Sequence, residues 1–286
     1  MTFLRYCPIL VVIILSGCGI DPDDVDLPKA KETPPAPIGK SFDSTRTGTV
    51  TGQVTWSDRL PTIAPIEYKL PKPDGMGFET HLTANPNRPK INASTRAVGD
   101  AVVFLKSIDI AASRDWDLPA VSVAIGDGQI EVLQGTNRGR NGFVRRGDSI
   151  DMKSIEETFH IIRGRGDGFF SLTFPTPNDP VKRTLNQDGR IELSSGTGLS
   201  FMRADLFVCD HPYYTRTELN GFFRFDQVPP GKCELAVWLP NWQAGNPIYE
   251  PESAIIARHT YAPPYERVLP IMVVSGQTTV LNASLP

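Results

Sequence analysis

The sequence predicts an all-β protein, and three observations carry that prediction. Short runs of β-branched and aromatic residues recur along the chain, for example residues 101–105 (AVVFL) and 204–209 (ADLFVC). The 26 prolines and 24 glycines punctuate those runs, as they do between the strands of sheets. No segment repeats apolar residues at helical spacing over a useful length. Residues 152–160 (MKSIEETFH) come nearest, and Thr158 and Phe159 favour strand there. The formal net charge of −3 supplies no electrostatic footprint for nucleic acid.

The chain opens with Arg5 and a wholly apolar stretch over residues 9–15. That stretch is far below the roughly 20 residues a bilayer-spanning helix needs, so residues 1–17 are expected to be a secretory signal. The ending Leu15-Ser16-Gly17-Cys18 resembles the lipobox of bacterial lipoproteins. The resemblance implies a lipidated Cys18, a membrane tether, and a position on the outer membrane or the periplasmic face of the envelope. Gly19, rather than Asp, favours the outer membrane. Residues 18–47 are polar, rich in Asp and Pro and poor in large apolar side chains, and are expected to be an extended or disordered spacer.

Roughly 240 residues then remain, enough for one large or two ordinary β domains; two are expected, over residues 48–203 and 204–286, with it left open whether the opening strands complete the C-terminal sandwich around an inserted middle region. Residues 48–56 (GTVTGQVTW) alternate polar and apolar around Gly52, which suits an edge strand with a bulge or a close approach at the glycine. A polar, proline-rich excursion follows over residues 60–95, then strands at 101–105 and 121–125. Hairpins continue through residues 129–133, 143–144, 149–152, 158–162, 169–174 and 190–193, with turns at Gly126-Asp127-Gly128, Arg146-Gly147-Asp148 and Asp188-Gly189. From residue 204 short strands recur at regular spacing, the pattern of a small β-sandwich. Asn220-Gly221 and Val228-Pro229-Pro230-Gly231 supply its tight turns.

Residues 210–231, with Glu218, Asn220-Gly221-Phe222-Phe223-Arg224-Phe225 and the VPPG turn, resemble the carboxypeptidase regulatory-like, transthyretin-type sandwich. Glu218 stands where that family has Asp, and Cys233 where it has Tyr. The resemblance implies a non-catalytic module. A wider pattern is similar to exported cupredoxin-like proteins related to methylamine-utilisation accessory proteins. It comprises Gly52-Gln53-Val54-Thr55-Trp56, residues 101–105, and residues 147–151 followed by Phe159-His160. That family holds copper through a Cys, a His and a Met from one loop plus a distant His, a soft donor set suited to the metal. Here His160 and Met202 match, but Gly196 stands where the Cys belongs and Leu199 where the loop His belongs. The expected reading is a cupredoxin-like sandwich with a vestigial, metal-free site at His160, Gly196, Leu199 and Met202, and no cofactor.

Cys209 and Cys233 lie on stretches that both read as strands, in an oxidising compartment, so a disulfide or two buried free thiols are both open. His81, His160, His211 and His259 show no metal-binding spacing. A copper protein using His160, Met202, His211 and Cys209 is the alternative from another class. Ser194-Ser195 has no nucleophile motif, and Glu156-Glu157 and Asp115/Asp117 suit solvated faces or caps, so no enzyme is expected. Arg138, Arg140, Arg145, Arg146, Arg163 and Arg165 could gather into a basic patch for an anionic polysaccharide or a phosphate-bearing glycolipid, or stand exposed and balanced by nearby acids. Trp238, Trp242, Tyr249, Tyr261 and Tyr265 could stack on sugars or cap a core. The expected partners are the membrane, through the anchor, and an envelope protein or polysaccharide.

Overall fold

The computed structural model describes residues 41–251 and 255–286. Cys18, the signal and most of the expected spacer lie outside the described residues. The end of that spacer is structured: the Asp43 carboxylate accepts from the Thr45 amide and caps a 3-10 turn over Ser44–Arg46.

The strands before residue 110 are β1 (Gly48–Trp56), the hairpin β2 (Ile66–Pro71) and β3 (Phe78–Thr83), the short pair β4 (Lys90–Ile91) and β5 (Val98–Gly99), and β6 (Val102–Lys106). Ten more follow: β7 (Val121–Gly126), β8 (Gln129–Gln134), β9 (Asn137–Gly139), β10 (Asn141–Arg145), β11 (Ser149–Ser154), β12 (His160–Gly166), β13 (Phe170–Phe174), β14 (Val181–Thr184), β15 (Gly189–Ser195) and β16 (Arg203–Cys209). The last set is β17 (Tyr214–Arg216), β18 (Phe222–Val228), β19 (Gly231–Leu239), β20 (Ile248–Tyr249), β21 (Ile256–Arg258), β22 (Tyr265–Val273), β23 (Thr278–Val280) and β24 (Ala283–Leu285). The protein is all-β, and the stretch 152–160 is the end of β11, a bend and the start of β12.

Strand pairing overturns the expected tandem of residues 48–203 and 204–286. β1 runs antiparallel to β18 and parallel to β23 and β24, and its facing sheet has the order β17-β6-β19-β22. One sandwich is therefore closed by strands from both ends of the described chain. The physical reason lies in β1, whose inward residues Val50, Val54 and Trp56 need an apolar sheet opposite them. Leu105, Leu235 and Val237 of the facing sheet provide it, and Phe223 and Phe225 from the neighbouring β18 join the same core. The second sandwich is inserted between β6 and β17. Its sheets, β14-β11-β7-β8-β9 and β10-β16-β15-β12-β13, enclose a separate core that includes Ile125, Ile150, Ile162, Leu193 and Leu206. The strand over residues 204–209 belongs to this inserted sandwich, not to the C-terminal one.

β1 is also central, not an edge strand. The close approach at Gly52 is present: a Cβ there would sit 1.9 Å from the Leu281 carbonyl oxygen, so only glycine lets β1 lie against the chain entering β24.

A third apolar cluster joins the sandwiches. Successive side chains of a strand point to opposite faces, so a strand buried on both faces reads as one continuous apolar run. β16 is such a strand, and all seven of its residues are buried. Ala204, Leu206 and Val208 enter the inserted core, while Phe207 enters the junction. In β6, Val103 and Leu105 face the first core and Val102 the junction; in β19, Leu235 and Val237 face the core and Trp238 the junction. Phe143 completes that cluster from β10. Phe207 meets Trp238 edge-on at 5.2 Å, and Phe104 stacks on Tyr214 at 4.9 Å. Each such pair is worth about 0.5–1.5 kcal/mol beyond its burial.

Candidate functional site

The four positions expected to be a vestigial metal site fall in one corner of the inserted sandwich. His160 opens β12, and the loop between β15 and β16 carries Gly196, Leu199 and Met202. That loop is closed by the Met202 amide donating to the Leu199 carbonyl at 2.9 Å. It is tied to β12 by the Gly196 amide donating to the Ile161 carbonyl at 2.7 Å. The His160 ring is fully buried, and its Nε2 lies 2.8 Å from Glu156 Oε1. Glu156 Oε2 in turn accepts from the Asp127 amide at 3.0 Å, at the Gly126-Asp127-Gly128 turn. That backbone bond is the main reason the Glu156 carboxyl is held below the usual range, with His160 adding to it against the cost of burial.

These residues do not fit copper. Met202 is packed in the inserted core, and Leu199 lies against the same core with no donor atom. A Cβ added at Gly196 would meet Ile161 Cγ2 at 3.0 Å and Arg163 Nε at 3.1 Å, so the position of the missing thiolate is crowded as well as vacant. His160 Nδ1 and Ser200 Oγ are buried without a partner among the described residues. One imidazole nitrogen and a hydroxyl supply none of the soft charge a copper site requires.

The expected disulfide is not formed. Cys209 and Cys233 are both buried free thiols. They sit on strands of different sheets: β16 pairs with β10 and β15, β19 with β6 and β22. The Cys209 thiol faces the Val144 and Phe207 carbonyls at 3.8 Å, while Cys233 packs into the first core. Burial pushes both thiols up, Cys209 further with help from Asp188 and Asp210, and Cys233 to about 11. Neither is a thiolate at neutral pH.

The six arginines read together in the sequence separate in space. Arg138 faces Glu131 at 3.3 Å, Arg146 pairs with Asp210 at 2.8 Å and Asp188 at 3.4 Å, and Arg145 is exposed. Arg163 and Arg165 alternate with Ile162 and Gly164, so they lie on the outer face of their sheet. There Arg165 donates to Ser194 Oγ at 2.7 Å, and Arg163 faces Glu250 at 3.6 Å. Arg140 Nε donates to the Arg203 carbonyl at 2.9 Å. Burial draws its guanidinium down to about 10, opposed by Asp205 and assisted by Arg203, which leaves it charged at neutral pH.

Of the aromatics, Trp242 packs with Trp56 and Tyr265, ring centroids 5.3 and 5.0 Å apart, as a cap of the first core. Their edges line a cavity of about 460 Å³. Trp238 lies in the junction, Tyr249 is exposed, and Tyr261 lies under Arg203. The histidines stay apart: His81 stacks on Tyr68, His259 Nε2 lies 2.8 Å from the Glu67 carbonyl, and His211 packs beside Tyr213 and Tyr214. Among the described residues no three His, Cys, Asp or Glu side chains group as a metal site would need. Arg190, Arg203 and Arg258, which line a cavity at the junction, were not singled out by sequence reasoning. The alternation of Arg190 with Ile191 and of Arg203 with Ala204 was their only local signal.

No protein-family model and no curated protein matches the chain. Among solved structures it is similar to two reduced amicyanin variants at 19% identity. One match covers 32% of this chain and 82% of that one, the other 37% and 98%, each with a TM-score of 0.25. A purple cupredoxin from Nitrosopumilus maritimus is similar at 11% identity over 32% of this chain and 99% of its own, also at 0.25. At those scores the likeness is weak, and the two-sheet β architecture rests on the strand pairing itself.

Proposed function

We propose that the chain is a membrane-tethered envelope lipoprotein with a non-catalytic structural or binding role, whose inserted sandwich is cupredoxin-like without a copper site. The observation that carries this reading is the loop over residues 196–202. Its two key ligand positions are Gly196 and Leu199, neither with a donor side chain, and restoring a cysteine at Gly196 requires the Ile161 and Arg163 side chains to give way by a few tenths of an ångström. The tether is supported by Leu15-Ser16-Gly17-Cys18. The regulatory-like character of the first sandwich is supported by the turn at Gly221, where φ is 80°, and by the VPPG reversal between β18 and β19.

Two measurements test it. Purified mature protein is incubated with copper, desalted and assayed for metal. Background copper is expected, and near-stoichiometric copper would return the protein to the electron-transfer class. Radiolabelled palmitate is expected in the wild-type chain and absent from Cys18→Ser, and equal labelling of both would refute the tether.

A further inference from the structure

The outer face of the sheet β10-β16-β15-β12-β13 turns away from the inserted core. Phe207 covers part of it by meeting Trp238, and beside that contact the face becomes charged. Arg203 and Asp205 project from β16, and Arg190 and Glu192 from β15. Arg258, ending β21, and Tyr261 lie across them, and with Arg190, Glu192 and Arg203 they line a cavity of about 290 Å³ whose other walls include Trp238, Pro240, Pro263 and Pro264.

The charges in this cavity do not balance. Arg190 pairs with Asp205 at 2.7 Å, and Arg203 with Glu192 at 2.5 Å, which occupies both carboxylates. Arg258 has no carboxylate within ion-pair reach among the described residues, and the buried Arg140 guanidinium behind Arg203 has to share the Asp205 charge with Arg190. Two donors are also unmet. Arg203 is 8% exposed, yet its Nε has no partner. The same guanidinium lies over the Tyr261 ring at 4.5 Å and eases the upward push of burial on the phenol, and the buried Tyr261 hydroxyl has no partner at hydrogen-bond geometry. A buried donor left unpaired costs about 1–3 kcal/mol, more when charged; both donors belong to side chains that line the cavity, so a small turn of either offers it to a group bound there. Positive surplus, guanidinium forks and a phenolic hydroxyl are together the recognition chemistry of an oxyanion. The cavity is larger than a bare oxyanion needs, and its Trp and Pro walls offer apolar surface to a ring.

We propose that this junction cavity binds an oxyanion, phosphate or carboxylate, carried on a sugar, with Arg258, Arg203 and Tyr261 as its donors. The site goes beyond the proposed tether and copper-free sandwich and does not depend on either.

The test is calorimetric titration of the mature protein at low salt with glucose 6-phosphate, glucuronate, glucose and inorganic phosphate. A charged sugar is expected to bind and glucose is not. Preference between the two charged sugars identifies the source of the oxyanion. Arg258→Ala, at an unpaired residue and so compatible with folding, is expected to weaken binding roughly tenfold or more. Tyr261→Phe is expected to weaken it severalfold, Arg258→Lys to restore part of it, and Arg224→Ala, exposed on another sheet, to leave it unchanged. Binding of neither charged sugar, or equal binding by wild type and Arg258→Ala, would overturn the site. Inorganic phosphate binding as tightly as the sugar phosphate would overturn the sugar.

Discussion

The two sandwiches use the same strand vocabulary but close in opposite ways. The inserted one is built from a single stretch, β7 to β16, and several of its pairings are local, such as β7 with β8 across the Gly126-Asp127-Gly128 turn. The first depends on partners more than two hundred residues apart, as where the Gln53 amide donates to the Asn282 side chain. Loop closure costs grow only slowly with length, so the distant pairing is thermodynamically tolerable, but it has to wait for the chain end. The difference teaches where each sandwich is vulnerable. The inserted one is self-contained apart from its outer face, whereas the first has a central strand whose neighbours arrive last.

The sharpest way to break the comparison is to remove what joins the two. Trp238 is 3% exposed and packs against Phe207 at the junction. Trp238→Ala is expected to cost about 3–5 kcal/mol, the range for losing a buried large aromatic. If the junction couples the sandwiches, urea unfolding followed by far-UV circular dichroism changes from one transition to two. A single transition with little loss of stability would show that they are coupled elsewhere. Next in size is Gly52→Ala, which sets a Cβ 1.9 Å from the Leu281 carbonyl and is expected to cost roughly 1–3 kcal/mol. Hydrogen exchange should quicken in β1, β23 and β24 and stay unchanged in β12. Equal quickening in both sandwiches would erase the distinction drawn between them.

What the sequence showed divides along the same line. Strands and turns were legible because they are local: Asn220-Gly221 and Gly126-Asp127-Gly128 sit at strand connections as their chemistry requires. Pairing was not legible, since nothing in residues 48–56 states that their neighbours are residues 278–285. The vacant ligand positions at Gly196 and Leu199 could be read because they are a question of residue identity. The arginine-lined cavity could not. Arg190 and Arg203 alternate with core residues, and that pattern says only that one face is polar, while Arg258 comes to it from a distant part of the chain. The disulfide expected of Cys209 and Cys233 failed for a related reason: two cysteines on strands in an oxidising compartment suit a pair, and nothing local states that their strands lie in different sheets.

That misreading supplies a smaller prediction. If the thiols were joined, separating them would cost about 3 kcal/mol on the chain-entropy model. As free thiols in different sheets, replacement of either by Ala is expected to cost about 1 kcal/mol from lost burial, with or without reductant present. Ellman's reagent should find neither in the native protein and both after unfolding. A reductant-dependent stability would reinstate the disulfide and tie the first sandwich covalently to the inserted one.

The smallest effect tests how local the inserted sandwich is. Glu156 and His160 are only four residues apart, and the carboxylate also accepts from Asp127, so this corner is held by neighbours along the chain. The Asp127 bond above all, then His160, keeps the folded carboxyl below its unfolded value of about 4.3. A carboxyl depressed in this way stabilises the fold above its unfolded pKa, and the contribution is lost as pH falls through the folded value. Glu156→Gln keeps the shape and removes the charge. With about a third of the side chain open to water, screening limits the expected loss to about 0.5–1 kcal/mol at pH 7. In urea titrations at decreasing pH the gap between wild type and variant should close as pH falls below the unfolded pKa and through the depressed folded one, where the native carboxyl itself becomes neutral. A gap that persists at low pH would mean that shape, not charge, holds His160 in place. The corner would then be a packed remnant, secured by Met202 and Leu199 in the core, and the Glu156 charge would contribute nothing to it.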